Sequence, residues 1–132
     1  MKEIEKAGMI NMNNAYFFDT YAFFEIIEGN PKYEIYKESI VITTIFNLAE
    51  LNYNLKKEMT YEMADSYLEK YWDCMEDINI KDIKNAMNLK SKNREFSIPD
   101  AIGYAVAERL GIKFLTGDEG FKNLDNVEFI KK

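Results

Sequence analysis

Short apolar runs alternate along the chain with longer stretches in which apolar residues recur at a helical period. The apolar and β-branched runs predict buried strands at residues 16–18, 39–43, 78–80, 112–115 and 127–130. The helical period predicts helices at residues 21–27, 45–55, 60–75, 82–92 and 97–109. Strands that alternate with helices are typical of an α/β fold with a mostly parallel sheet.

The length of the chain, 132 residues, predicts a single domain. The composition of residues 1–11 differs from that of the periodic body, so we expect an N-terminal extension there and one domain over residues 12–132. Neither a secretory leader nor an apolar stretch of membrane-spanning length is recognisable. The lone cysteine, Cys74, cannot form an internal disulfide, which suits a reducing cytoplasm.

Composition narrows the chemistry that this chain can support. It has no histidine and one cysteine, which excludes Ser-His-Asp and Cys-His catalysis and zinc sites built from those residues. The net charge of −6 argues against a protein that coats nucleic acid with a broad basic surface. A nucleic-acid enzyme whose acidic pocket is filled by cations remains compatible with this charge.

Isolated acidic residues mark the segments that are otherwise free of charge. Residues 7–24 carry only Asp19, residues 40–55 only Glu50, and residues 96–107 only Asp100. A fourth acid, Asp118, follows the predicted strand at residues 112–115. Ligands of open parallel sheets bind at the carboxyl ends of the strands, and we expect all four acids to face that edge.

If these carboxylates cluster, their mutual repulsion must be offset. Two carboxylates about 5 Å apart repel by roughly 3 kcal/mol at an effective dielectric constant near 20. Protonation relieves part of this repulsion, and a divalent cation relieves it better. Because oxygen ligands select hard cations, the pattern predicts a site for Mg²⁺ or Mn²⁺.

Each acid taken singly also has a structural interpretation. Asp19 can cap the helix that follows it, and Asp100 completes a capping box that begins at Ser97. Asp118 lies in a loop, where acids are common. Glu50 has no basic residue within one turn on either side, and its role is harder to explain structurally. Because all four acids are expected to face the same edge of the sheet, a shared functional site is favoured over four separate structural roles.

With these four acids in this order, the sequence resembles the PIN-domain ribonucleases, and among them the VapC-type toxins. The motifs that carry the resemblance are Phe18-Asp19-Thr20, Asn47-Leu48-Ala49-Glu50, Ser97-x-x-Asp100-Ala101 and Phe114-Leu115-Thr116-Gly117-Asp118. The resemblance implies a three-layer α/β/α sandwich and endonucleolytic cleavage of RNA with Mg²⁺ or Mn²⁺. It also implies a homodimer and restraint by a small antitoxin protein.

Carried onto this chain, the resemblance implies a catalytic and metal-binding quartet of Asp19, Glu50, Asp100 and Asp118. Thr116 is then the supporting hydroxyl, with Thr20 and Glu119 as further supporting residues. Many family members have another acid two positions after the last aspartate, where this chain has Gly120. Many also have a small polar residue two positions after the first aspartate, where this chain has Tyr21.

The basic run at Lys90, Lys92 and Arg94 can supply partners for RNA phosphates. The alternative is that these cations stabilise the C-terminus of the preceding helix. The apolar face of residues 60–75 is interpreted as core or, alternatively, as a dimer or antitoxin interface.

Three other functions are alternatives to the nuclease. The main one is a non-catalytic PIN fold that binds RNA or protein; such a module would tolerate the loss of an acid, and the presence of all four argues against it. A phosphoacceptor receiver domain needs an acidic pair after the first strand, and here Thr20 follows Asp19. A haloacid-dehalogenase-type phosphatase needs D-x-D, and position 21 is tyrosine.

Overall fold

The structure, a computed structural model, describes residues 14–132, and the predicted extension at residues 1–11 lies outside them. Its strands are β1 (Ala15–Phe18), β2 (Ile40–Ile42), β3 (Lys113–Thr116) and β4 (Val127–Phe129). Its α-helices are α1 (Thr20–Ile27), α2 (Ile45–Leu55), α3 (Tyr61–Tyr71), α4 (Ile80–Lys92) and α5 (Ile98–Leu110). The strands form one parallel sheet in the order β2-β1-β3-β4.

Alternation along the strands separates two apolar cores. Phe17 and Phe114 stack on one face of the sheet, with ring centroids 5.5 Å apart, where α4 and α5 pack. Phe18 and Leu115 point to the other face, which α1, α2 and α3 cover. Successive side chains of a strand point to opposite faces, so both faces of this sheet are buried. The predicted three-layer α/β/α sandwich with a parallel sheet is confirmed.

The predicted strand at residues 78–80 is wrong, because Ile80 begins α4. Asn79 caps this helix in a capping box: its side chain accepts the Asp82 N–H, and the Asp82 carboxylate accepts the Asn79 N–H. Two reciprocal hydrogen bonds at a helix start outweigh the strand preference of two isoleucines. Helix α4 therefore begins two residues before the predicted position.

The predicted helix at residues 60–75 is shorter in the structure. It ends at Tyr71 and is followed by a 3₁₀ turn, Trp72–Cys74, after which Met75 forms an isolated parallel bridge with Thr43. The backbone thus leaves the helix to pair with the chain just beyond β2. A second 3₁₀ segment, Pro31–Glu38, was not predicted.

Local sequence explains one end of each of two helices. The Thr44 side chain accepts the Asn47 N–H and caps α2. Gly111 ends α5 with a φ of 70°, a left-handed conformation that glycine adopts without a Cβ penalty. Among the described residues, no helix combines the length and the apolar character needed to cross a bilayer.

Candidate active site

The four predicted acids come from four different elements near one edge of the sheet. Asp19 directly follows β1, and Asp118 lies two residues beyond the end of the neighbouring parallel strand β3. Asp100 is in the first turn of α5, whose C-terminus leads into β3, so its N-terminal turn lies toward the carboxyl ends of the strands. Glu50 lies in α2, which follows β2. This edge is where open parallel sheets bind ligands.

Asp19 is a buried carboxylate with two hydrogen bonds. Its side chain is 2% exposed; Oδ1 accepts the Thr20 N–H at 2.8 Å, and Oδ2 accepts the Thr116 hydroxyl at 2.7 Å. Burial raises the pKa of this carboxyl well above its usual range, and the charges of Asp100 and Glu50 raise it further against the effect of the two hydrogen bonds. The residue caps α1, as its structural interpretation predicted, yet burial and the neighbouring carboxylates disfavour its ionised form.

Asp100 likewise caps a helix while its surroundings disfavour its ionised form. Its backbone N–H donates to Ser97 Oγ at 3.1 Å, and its Oδ2 accepts the Ser97 N–H at 3.3 Å, which completes the predicted capping box. Burial raises the pKa of Asp100, the hydrogen bonds from Ser97 lower it, and the charges of Glu50 and Asp118 raise it again. Asp100 therefore interacts electrostatically with each of the other three predicted carboxyl groups, Asp19, Glu50 and Asp118.

The end of β3 joins two of these acids through one hydroxyl. Thr116 is fully buried, and its Oγ1 donates to Asp19 while it accepts the Asp118 N–H at 3.1 Å. Asp118 Oδ1 in turn accepts the Gly120 N–H at 2.9 Å. Gly117 has no room for a side chain, because a Cβ there would lie 2.3 Å from the Tyr21 ring. The bulky residue at position 21 thus packs against the backbone that precedes Asp118.

The donor set fits a hard divalent cation. Within residues 14–132 none of these four carboxylates forms an ion pair; the lysines and the arginine that do form pairs contact other acids. An oxygen-only set without a cationic neighbour has the chemistry that Mg²⁺ and Mn²⁺ prefer. Over the same residues, no group of three or more acidic or cysteine side chains has the spacing of a ready-made metal site.

Glu119 and Lys90 have other partners. The exposed Glu119 carboxylate pairs with Lys131 at 2.5 Å, and this pairing lowers its pKa. The Lys90 ammonium donates to the Phe96 carbonyl oxygen at 2.5 Å, beyond the C-terminus of α4. This carbonyl belongs to the loop between α4 and α5 and not to the last turn of α4, so the contact decides neither interpretation of the basic run. Lys92 and Arg94, from the same run, are exposed.

One polar residue close to these acids was not assigned a role from sequence. Asn47 is fully buried, and its side chain joins the hydroxyls of Thr20 and Thr44. It precedes Glu50 by three residues and so lies on the same side of α2. The sequence does contain a signal for Asn47: it is an amide in an apolar segment, three residues before the solitary acid of that segment.

The apolar side of residues 60–75 divides between core and surface. Ala64 and Tyr71 are buried in the core, whereas Met63 and Trp72 are 51% and 47% exposed. The core interpretation therefore holds for part of this segment, and two of its large apolar side chains face outward.

Comparisons with known proteins agree with this architecture. The family model of the PIN domain matches residues 16–127. The fold is similar to that of a toxin-antitoxin complex from Klebsiella pneumoniae, with a TM-score of 0.70 and 16% identity over 89% of this chain and 99% of that chain. It is also similar to VapBC2 from Rickettsia felis bound to a DNA fragment from their promoter, with a TM-score of 0.66 and 18% identity over 89% and 98% of the two chains. No curated protein sequence matches the chain.

Proposed function

Because this chain belongs to the PIN domain family, we propose that it is a Mg²⁺- or Mn²⁺-dependent endoribonuclease and the toxin of a toxin–antitoxin pair. One observation carries the proposal. At the carboxyl edge of a parallel sheet, the Asp100 carboxyl group interacts electrostatically with those of Asp19, Glu50 and Asp118, and no lysine or arginine among the described residues pairs with the four. A divalent cation is the partner that such a group lacks.

In this proposal Asp19, Asp100 and Asp118 hold the cation, and Glu50 either ligates it or orients a water molecule. A bound Mg²⁺ or Mn²⁺ supplies activation of water for attack on phosphorus and stabilisation of the charge on the leaving oxygen. No nucleophilic side chain is needed, in agreement with a chain that has no histidine.

The remaining residues of the site orient these carboxylates. The Thr20 N–H and the Thr116 hydroxyl each hold one oxygen of Asp19, which leaves the other lone pairs of that carboxylate for a ligand. The Ser97 N–H holds one oxygen of Asp100 in the same way. Orientation by such hydrogen bonds is what metal-binding carboxylates generally receive from their surroundings.

The substrate is RNA in this proposal, and its phosphates need positive partners. Lys92, the last residue of α4, and Arg94, in the loop before α5, are exposed, whereas Lys90 donates to the backbone carbonyl of Phe96. We assign the two exposed cations to substrate binding, with Lys90 holding the loop that presents them. Glu119 then supports the site through its pairing with Lys131.

A small antitoxin protein and a second copy of the chain are the proposed partners, in the cytoplasm. Support for the antitoxin comes from the two solved structures, whose titles describe a toxin-antitoxin complex and VapBC2. Co-expression with the product of a short neighbouring reading frame tests this partner. Co-purification and loss of nuclease activity are expected, and an unaffected nuclease would contradict it.

Metal removal tests the enzymatic proposal directly. The purified protein is incubated with single-stranded RNA in Mg²⁺ or Mn²⁺, with and without excess EDTA, while circular dichroism monitors the fold. We expect cleavage with either metal, none in EDTA, and recovery when the metal is restored. Full cleavage in EDTA would contradict the mechanism, and binding of RNA without cleavage in either metal would favour a non-catalytic PIN module.

A further inference from the structure

A buried amide lies between the elements that carry three of the candidate carboxylates. Asn47, in the first turn of α2, has no exposed surface. A primary amide placed in a protein interior is unfavourable unless its polar atoms are hydrogen-bonded, whereas leucine of similar size would not require such bonds. The hydrogen bonds of Asn47 therefore indicate what the residue is for.

Two hydroxyls form these hydrogen bonds, one as donor and one as acceptor, and both belong to residues at the start of a helix. Asn47 Oδ1 accepts the Thr44 hydroxyl at 2.7 Å, and Thr44 caps α2. The Asn47 amide donates to Thr20 Oγ1 at 3.4 Å, and Thr20 directly follows Asp19. The side chain thus connects the start of α1 to the start of α2.

The third contact is with α5. A Cβ at Gly103 would lie 2.8 Å from Cε1 of Phe17, which is too close, and 3.3 Å from Asn47 Oδ1, which is a tight contact, so α5 packs closely against both residues at this point. Gly103 lies one helical turn after Asp100, and Glu50 lies one turn after Asn47. The two acids are therefore each one turn away from the place where α2 and α5 meet.

We propose that Asn47 is a positioning residue that sets the mutual spacing of the Asp19, Glu50 and Asp100 carboxyl groups, and thereby the affinity of this site for a divalent cation. The inference rests on the proposed function, and it goes beyond it by assigning a role to a residue outside the carboxylate quartet. Asn47 acts only through its neighbours, since the described contacts of its side chain are with Thr20, Thr44 and Gly103.

The test compares two substitutions on one helix. Asn47→Leu keeps the number and branching of the side-chain heavy atoms, with a somewhat larger volume, and removes the hydrogen bonds to both hydroxyls. Asn52→Leu is the matched control, because Asn52 is also in α2 but its amide donates to Asp65 Oδ1 at 2.9 Å, away from the carboxylates. The affinity for Mn²⁺ is measured by calorimetry and by electron paramagnetic resonance of the free ion, well below the melting temperature of each variant.

We expect Asn47→Leu to weaken Mn²⁺ binding about 10- to 100-fold, the range found for residues that orient metal ligands. Asn52→Leu is expected to keep the wild-type affinity, even where it lowers the melting temperature. A purely structural role for Asn47 would lower the melting temperature and leave Mn²⁺ affinity unchanged, and this result would overturn the inference. An equal loss of affinity in both variants would overturn it as well.

Gly103→Ala provides a second variant that alters no polar group. Its methyl group forces α5 away from Asn47 and Phe17, so we expect weaker Mn²⁺ binding in this variant too. If Asn47→Leu does not fold, as judged by circular dichroism, Gly103→Ala decides the question, and unchanged affinity in it would overturn the inference. Absence of Mn²⁺ binding by the wild-type protein would instead contradict the proposed function, and this inference with it.

Discussion

The Thr116 hydroxyl donates to Oδ2 of the buried Asp19 carboxylate at 2.7 Å, across the two central strands of the sheet. Thr116 Oγ1 also accepts the Asp118 N–H, so one side chain at the end of β3 holds two of the candidate acids. A hydrogen bond to a charged group that is cut off from water is among the stronger ones in proteins. Replacing Thr116 should therefore affect both the stability of the protein and the position of these two acids.

Thr116→Val, which is nearly isosteric, should destabilise the protein by about 1–3 kcal/mol at pH 8 because it removes a hydrogen bond to a buried carboxylate. It should also weaken Mn²⁺ binding. Urea unfolding and calorimetry measure the two effects. Thr43→Val is the control, since the buried Thr43 hydroxyl donates to a neutral acceptor, the Phe18 carbonyl oxygen, at 3.2 Å. Equal Mn²⁺ affinities in both variants would contradict a specific role for Thr116.

Asp19→Asn should stabilise the metal-free protein at pH 8. Burial raises the pKa of Asp19 in the folded state, so between its ordinary value and the raised one the folded protein binds more protons than the unfolded chain. Wild-type stability therefore falls as the pH rises through this window. Asparagine still caps the helix but does not ionise.

Urea unfolding from pH 4 to pH 8 in EDTA checks this expectation, and the pH dependence of Asp19→Asn should be flatter than that of the wild type. Asp82→Asn is the control, and it should lower the stability at pH 8 where Asp19→Asn raises it. The buried Asp82 carboxylate pairs with Arg109 at 2.9 Å, and its loss leaves that guanidinium without its main partner. A lower stability of Asp19→Asn at pH 8 would argue against a strained carboxylate.

Asp100→Asn should reduce RNA cleavage at least about 100-fold with the fold intact, because one ligand of the proposed cation loses its charge. The asparagine oxygen can still accept the Ser97 N–H. Ser97→Ala separates this role from helix capping: it removes the cap, costs about 1 kcal/mol of stability and should retain most of the cleavage. Equal loss of cleavage in both variants would reduce Asp100 to a structural residue.

Lys92→Ala combined with Arg94→Ala should weaken RNA binding and lower the salt dependence of the binding constant, since each phosphate contact adds to that slope. Fluorescence anisotropy at several salt concentrations, in EDTA to prevent cleavage, measures both quantities. The pair Lys57→Ala and Lys70→Ala removes the same charge from α3 and the end of α2. If the two double variants lose affinity equally, the effect is one of net charge alone.

Several features of this protein follow from local sequence. The alternation of apolar runs and helical periods, the cap at Thr44 and the capping box of Ser97 and Asp100 depend on residues a few positions apart, and the structure contains them. The solitary acids are equally visible, because a charge retained in an apolar segment needs a reason. These local patterns predict the fold and the carboxylate quartet.

Local patterns failed where two of them competed. The isoleucines at residues 78–80 favour a strand, but the capping box of Asn79 and Asp82 starts a helix there. The amphipathic period of residues 60–75 continues past Tyr71, yet the backbone turns so that Met75 can pair with Thr43. That pairing joins positions 32 residues apart, and no window of local sequence contains it.

The partners of the charged groups depend on such distant contacts. Thr116 and Asp19 are 97 positions apart, and Glu119 meets Lys131 only after β4 returns the chain to the same edge. Desolvation, which raises the pKa of Asp19, depends on every element that packs around it. Residue type and spacing thus specify which groups can carry the chemistry, whereas packing sets their burial and their neighbours, since electrostatic free energy depends on distance and exclusion of water.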